Sequence, residues 1–123
     1  MGNIIEPLQG EFSVCKVENY AFVNLNAEYC FIEKTNDENS LVCKTQDVPE
    51  NTTAREDGWN GFRIHGTLDF ALIGILAKIA TLLANRGISI YAISTYNTDY
   101  VFVKSKCFPS ALETLQEAGY SLK

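Results

Sequence analysis

Apolar and polar positions alternate in short runs along the first half of the chain and settle into three- and four-residue spacing only in the second. Phe12 to Val17 reads as a short strand, and Tyr29 to Thr35 with Ser40 to Cys43 reads as a hairpin closed by the turn-forming Asn36-Asp37-Glu38-Asn39. Thr45 to Asp57 is polar and carries Pro49, which predicts a loop or a short helical turn between two halves. Phe62-Arg63-Ile64-His65 alternates again before Gly66 ends the strand. Leu68, Leu72, Ile75, Leu76, Ile79, Leu82 and Leu83 then lay one apolar stripe along a helix. Arg86 suits the negative end of that helix, and Gly87 supplies its left-handed stop. Ile88 to Tyr96 and Tyr100 to Lys104 predict a second hairpin around Asn97-Thr98-Asp99. Pro109 opens a last helix with Ala111, Leu112, Leu115 and Ala118 facing inward, Gly119 closes it, and Tyr120 to Leu122 can add a final strand.

Strand, helix, strand, strand, helix, strand is the βαββαβ order of an α+β ferredoxin-like sandwich, with two helices on one face of an antiparallel sheet. Residues 1–57 follow the same succession without a long helix and read as a degenerate copy of residues 58–123. A half with no amphipathic helix cannot cover a sheet face by itself. The two halves are therefore expected to share one core.

The 123 residues suit one ordinary domain or two very small ones, and 46% hydrophobic with 20% charged residues describes a globular chain. No apolar run approaches the roughly 18 to 20 residues of a membrane span. Met1 to Gly10 has neither the basic start nor the apolar stretch of a leader, so a cytoplasmic protein without membrane contact is expected. Residues 1–57 carry a net charge of −7 and residues 58–123 a net of +2, with no cluster of Lys and Arg. That distribution argues against a nucleic-acid partner, which needs a basic face to displace counterions. Cys15, Cys30, Cys43 and Cys107 form no CxxC, and His65 is the single histidine, so no metal or other cofactor is expected. The four cysteines lie in apolar runs and read as buried, reduced thiols.

Two features carry candidate chemistry. Gly66 to Leu76 runs from a strand exit into a helix start, where backbone N–H groups lack internal partners and attract an anion. Gly74 would let a ligand approach the backbone, or would simply let the helix sit close to the sheet. Asp99 ends a tight turn, as a capping residue or as an anchor for an ammonium group. Together with the hydroxyls of Thr95 and Thr98 these features suit a zwitterion. A hydrolytic set of Ser94, His65 and Asp99, or a cysteine paired with His65, is the competing enzyme reading. It lacks a G-x-S-x-G elbow and a cysteine at a helix start.

The segments Phe70-Ala71-Leu72-Ile73-Gly74-Ile75-Leu76, Gly87 to Tyr100 and Gly10-Glu11-Phe12-Ser13-Val14-Cys15 resemble those of small bacterial tandem ACT-domain proteins. Those proteins are similar to the ACT modules of the eukaryotic cytosolic arginine sensors. The resemblance spans nearly the whole chain and is strongest from Trp59 to Tyr120. It implies a regulatory module that binds a free amino acid and performs no catalysis. Its contacts would fall on the backbone of Leu72, Ile73, Gly74 and Ile75 and on Thr95, Tyr96, Thr98 and Asp99. It also implies a homodimer, with any output passing to a separate regulated protein. The alternative is a structural or oligomerisation module that binds no ligand.

Overall fold

The computed structural model describes residues 4–64 and 74–123. The chain divides into two compact units, one of Met1–Gln9 with Asn60–Lys123 and the other of Gly10–Trp59. Their strands are β1 (Ile4–Pro7), β2 (Phe12–Val17), β3 (Cys30–Lys34), β4 (Asn39–Lys44), β5 (Thr52–Ile64), β6 (Tyr91–Ser94), β7 (Asp99–Lys104) and β8 (Ser121–Leu122). The helices are α1 (Ile75–Ala84) and α2 (Phe108–Glu117).

In the unit that holds the C-terminus the strand order is β6-β7-β5-β1-β8, with β5 contributing its last residues. Ile5, Phe62, Ile64, Val101 and Val103 face Ile79 and Leu83 of α1 and Ala111 and Leu115 of α2 across one core. Each large apolar side chain fully buried there contributes about 1.5–3 kcal/mol relative to exposure. Gly61 serves the opposite face, since a Cβ at that position would stand 2.6 Å from two ring atoms of Phe102. Gly87 turns the chain out of α1 with φ +72°, as its position after the apolar stripe predicts.

Several expectations need correction. Strand β1 was not foreseen: it lies antiparallel to β5, with Ile5 opposite Ile64, and parallel to β8, with Ile5 opposite Leu122. It thereby stands between the first and last strands of the expected βαββαβ order. The predicted helix from Leu68 to Arg86 is described only as Ile75–Ala84, and Leu68, Leu72 and His65 lie outside the described residues. Arg86 directly follows Asn85, the C-cap of α1, and also pairs with Glu117 at 2.8 Å. Ala118 is exposed, and the buried polar Thr114 takes an inward position by donating its hydroxyl to the Ser110 carbonyl at 2.7 Å.

In the Gly10–Trp59 unit the order is β3-β4-β2-β5. The polar stretch predicted as a loop or a short helical turn holds a 3-10 turn at Thr45–Asp47 and then, unforeseen, the start of β5. Backbone pairing to β2 holds those polar residues in a strand with no apolar periodicity to announce it. Phe12 faces Trp59 and Val14 faces Glu56, so Asp57 and Gly58 both stand against Ser13 in a bulge, where Gly58 takes φ +83°. No α-helix occurs in this unit. Tyr20 and Val23, from the loop after β2, and Val48, after the 3-10 turn, pack on Cys15, Val17, Leu41 and Cys43 instead.

The units share a segment at a spacing of 60 residues that sequence reading passed over. Thr35, Lys44 and Pro49 recur as Thr95, Lys104 and Pro109, with a turn, a strand and a 3-10 turn in the same succession. Lys44 and Lys104 enter their 3-10 turns with nearly the same backbone, at ψ 144° and 140°.

Candidate functional site

Gly74 stands immediately before α1 with φ +78° and ψ 13°, a left-handed conformation that strains any residue with a Cβ. Among the described residues nothing lies within 4 Å of where that Cβ would be. The left-handed backbone is thus one reason for glycine at this position. Lys78 N donates to Gly74 O at 2.8 Å, the first bond of the helical ladder. Among the described residues no side chain caps this start, and no acidic residue lies in its first turn. The N–H groups of Ile75, Leu76 and Ala77 thus carry the positive end of the helix dipole without a side-chain acceptor among the described residues. Ile75 itself is half-buried and packs against the core. Leu72 and Ile73 lie outside the described residues.

The second group sits in the turn between β6 and β7. Thr95 N donates to Thr98 O at 2.8 Å, the Thr95 hydroxyl donates to the same carbonyl at 2.8 Å, and Thr98 N donates back to the Thr95 Oγ1 at 3.2 Å. The Thr95 side chain is thus engaged in building the turn. Thr98 is buried, while Tyr96 is 85% exposed at the tip. Asp99 opens β7, half-buried and directly opposite Ser94. Thr35 plays the Thr95 role in the other hairpin: its N donates to Glu38 O at 3.0 Å, and its Oγ1 accepts from Asp37 N at 3.1 Å. The structure brings Thr95, Tyr96, Thr98 and Asp99 into one turn, and Gly74 and Ile75 to one helix start.

A polar cluster next to that turn escaped sequence reading. Arg63 on β5 donates to Glu6 on β1 at 3.1 Å, and Glu6 and the Tyr100 hydroxyl, which follows Asp99 in the chain, hold the guanidinium more firmly charged than usual. Its partners are 57 and 37 positions away, and only the pairing of β1 and β7 with β5 joins them. Of the competing enzyme set, Ser94 and Asp99 are cross-strand partners and His65 lies outside the described residues. Among the described residues no group of three or more His, Cys, Asp or Glu is arranged to hold a metal ion. No described helix is long and apolar enough to cross a membrane.

Comparison with solved structures gives an Agrobacterium tumefaciens protein at TM-score 0.86 and 26% identity, covering 98% of this chain and 91% of that one. The regulatory subunit of aspartate kinase from Thermus thermophilus, in its ligand-free form, matches at TM-score 0.65 and 10% identity, covering 94% of this chain and 96% of that one. Aspartate kinase from Clostridium acetobutylicum, an allosteric enzyme, matches at TM-score 0.67 and 17% identity over 89% of this chain and 33% of the kinase. No curated protein matches the chain. Residues 54–117, which include the start of α1 and the Thr95–Asp99 turn, match the model of the ACT domain, and the chain belongs to the ACT domain family.

Proposed function

We propose that this protein is a non-catalytic regulatory module that binds a free amino acid, with the Gly10–Trp59 unit a degenerate second ACT-like copy. The observation that carries the reading is the ACT match over 54–117, which takes in both candidate groups at once. The fold shared with a regulatory subunit of aspartate kinase supports it at the level of architecture. In this reading the backbone of Leu72, Ile73, Gly74 and Ile75 receives the ligand carboxylate, because uncapped N–H groups and the positive helix end favour an anion. Asp99 takes the ammonium group, Thr98 lines the floor, and Tyr96 covers the ligand from the tip of the turn. Thr95 contributes by holding the turn in shape, since its hydroxyl already bonds to Thr98.

A thermal-shift screen of the twenty amino acids tests this, because a ligand that binds only the folded state stabilises it by mass action. A hundredfold excess over Kd adds about 2.7 kcal/mol, a rise of several degrees in a chain of this size. At least one amino acid should raise the melting temperature at millimolar concentration. No shift with any of them would favour a module that only assembles.

A further inference from the structure

The Gly10–Trp59 unit places four reactive or charged groups in a row across one face of its sheet. In an antiparallel pair, directly opposed residues share a face. Arg55 on β5 lies opposite Cys15 on β2, Cys15 lies opposite Leu41 on β4, and Cys43, two residues beyond Leu41, lies opposite Cys30 on β3. All three cysteines are free thiols. Cys15 and Cys43 are 4% and 2% exposed, whereas Cys30, on the edge strand, is half-buried and reachable from solvent. Nothing in the proposed ligand site uses them.

The separations decide which pair can bridge. Opposed residues in an antiparallel pair have Cα atoms about 4.5–5.5 Å apart, inside the range of about 4.4–6.8 Å that a disulfide spans. Cys30 and Cys43 satisfy this through their register alone. Cys15 is diagonal to Cys43 across β2 and β4, where Cα atoms typically stand about 7–8 Å apart, at or beyond the upper end of what a disulfide spans. The thiols of Cys15 and Cys43 are hydrogen-bonded, which favours the thiolate at Cys15 and the protonated thiol at Cys43, and Arg55 adds to the effect at Cys15. Burial and the charge of Asp47 likewise hold Cys30 protonated. Both thiols of the opposed pair thus favour the protonated form, and the bridge is governed by equilibrium with its surroundings.

We propose that Cys30 and Cys43 form a reversible cross-strand disulfide by exchange with a small-molecule disulfide, so that the edge strand β3 is stapled to β4 when the surrounding thiol pool is oxidised. The sulfur of Cys30 attacks one sulfur of glutathione disulfide, and the released glutathione takes up the Cys30 proton. The sulfur of Cys43 then attacks the Cys30 sulfur of the mixed disulfide. The protein S–S bond forms as the second glutathione leaves with the Cys43 proton. Two protein thiols are oxidised and one glutathione disulfide is reduced to two glutathiones.

The test equilibrates the full chain in glutathione buffers of rising oxidised fraction, quenches with acid and alkylates with N-ethylmaleimide before intact-mass and peptide analysis. The expected result is the loss of two of four alkylatable thiols, mapped to Cys30 and Cys43 and reversed by dithiothreitol. Cys107→Ser should keep the bridge and Cys30→Ser should abolish it. The half-exposed Cys30 makes that variant a safer control than one at buried Cys43. Four alkylated thiols at every ratio, glutathione adducts without an internal bridge, or a bridge mapped to Cys15 or Cys107 would each overturn the proposal.

Discussion

Thr95, read from the sequence as a hydroxyl for the ligand, is engaged by its own turn in the structure. Its hydroxyl donates to the Thr98 carbonyl and accepts from the Thr98 amide, so it forms part of the turn on which Asp99 stands. Removing a hydrogen bond of this kind costs about 1 kcal/mol. Thr95→Ala should lower the melting temperature by a few degrees and Thr95→Ser should restore most of the loss, as read by thermal denaturation. An alanine variant as stable as the parent would remove the hydroxyl from the turn's support. Asp57 makes a second residue-scale case. The Ser13 hydroxyl donates to it at 2.5 Å, and that bond, followed by the Arg55 pair, holds its carboxyl below the ordinary value of 3.8. A depressed carboxylate stabilises the fold above its unfolded-state pKa and loses that contribution as pH falls through the lower folded value. Urea midpoints should therefore fall less for Asp57→Asn than for the parent between about pH 6 and pH 3. Equal falls would mean that this carboxylate contributes nothing to acid sensitivity.

Elements were legible where apolar spacing and turn residues agreed. Phe12–Val17 appears in the structure over the predicted residues, and both hairpins close around the expected polar turns. The start of β5 was hidden because Thr52 to Asp57 has no apolar side chain larger than alanine, and its order comes from pairing with a strand forty residues earlier. Strand β1 was hidden because Ile4-Ile5-Glu6-Pro7 is short and ends in proline, which speaks against a central strand until its neighbours are known. Yet Ile5 is fully buried in the core with Phe62 and Ile64. Ile5→Ala should cost about 2–5 kcal/mol, seen as a fall in the denaturant midpoint with little change in slope. A loss below about 0.5 kcal/mol, the range of ordinary surface changes, would show that β1 is dispensable.

At the scale of the whole molecule, the candidate site was legible in part. The Thr95–Asp99 turn could be located from Asn97-Thr98-Asp99 between two β-rich runs, whereas Gly74 was placed inside a helix that begins at Ile75. Spacing alone cannot separate a glycine tolerated within an apolar stripe from one that supplies a left-handed entry to it. The two units also differ in how far the pattern is filled. Only the C-terminal one has the α1 start that the ligand reading requires, while the Thr35 turn repeats the hairpin alone. An asymmetric binder is therefore expected, with Asp99 as the charged anchor. Calorimetric titration with the twenty amino acids, run on the parent and on Asp99→Ala, tests this most directly. One amino acid should bind the parent, and loss of an ion-pair partner of this kind costs about 2–5 kcal/mol, a weakening of roughly thirtyfold or more, with the variant still folded. No binding to the parent at millimolar concentration, or equal affinity in both proteins, would contradict the account.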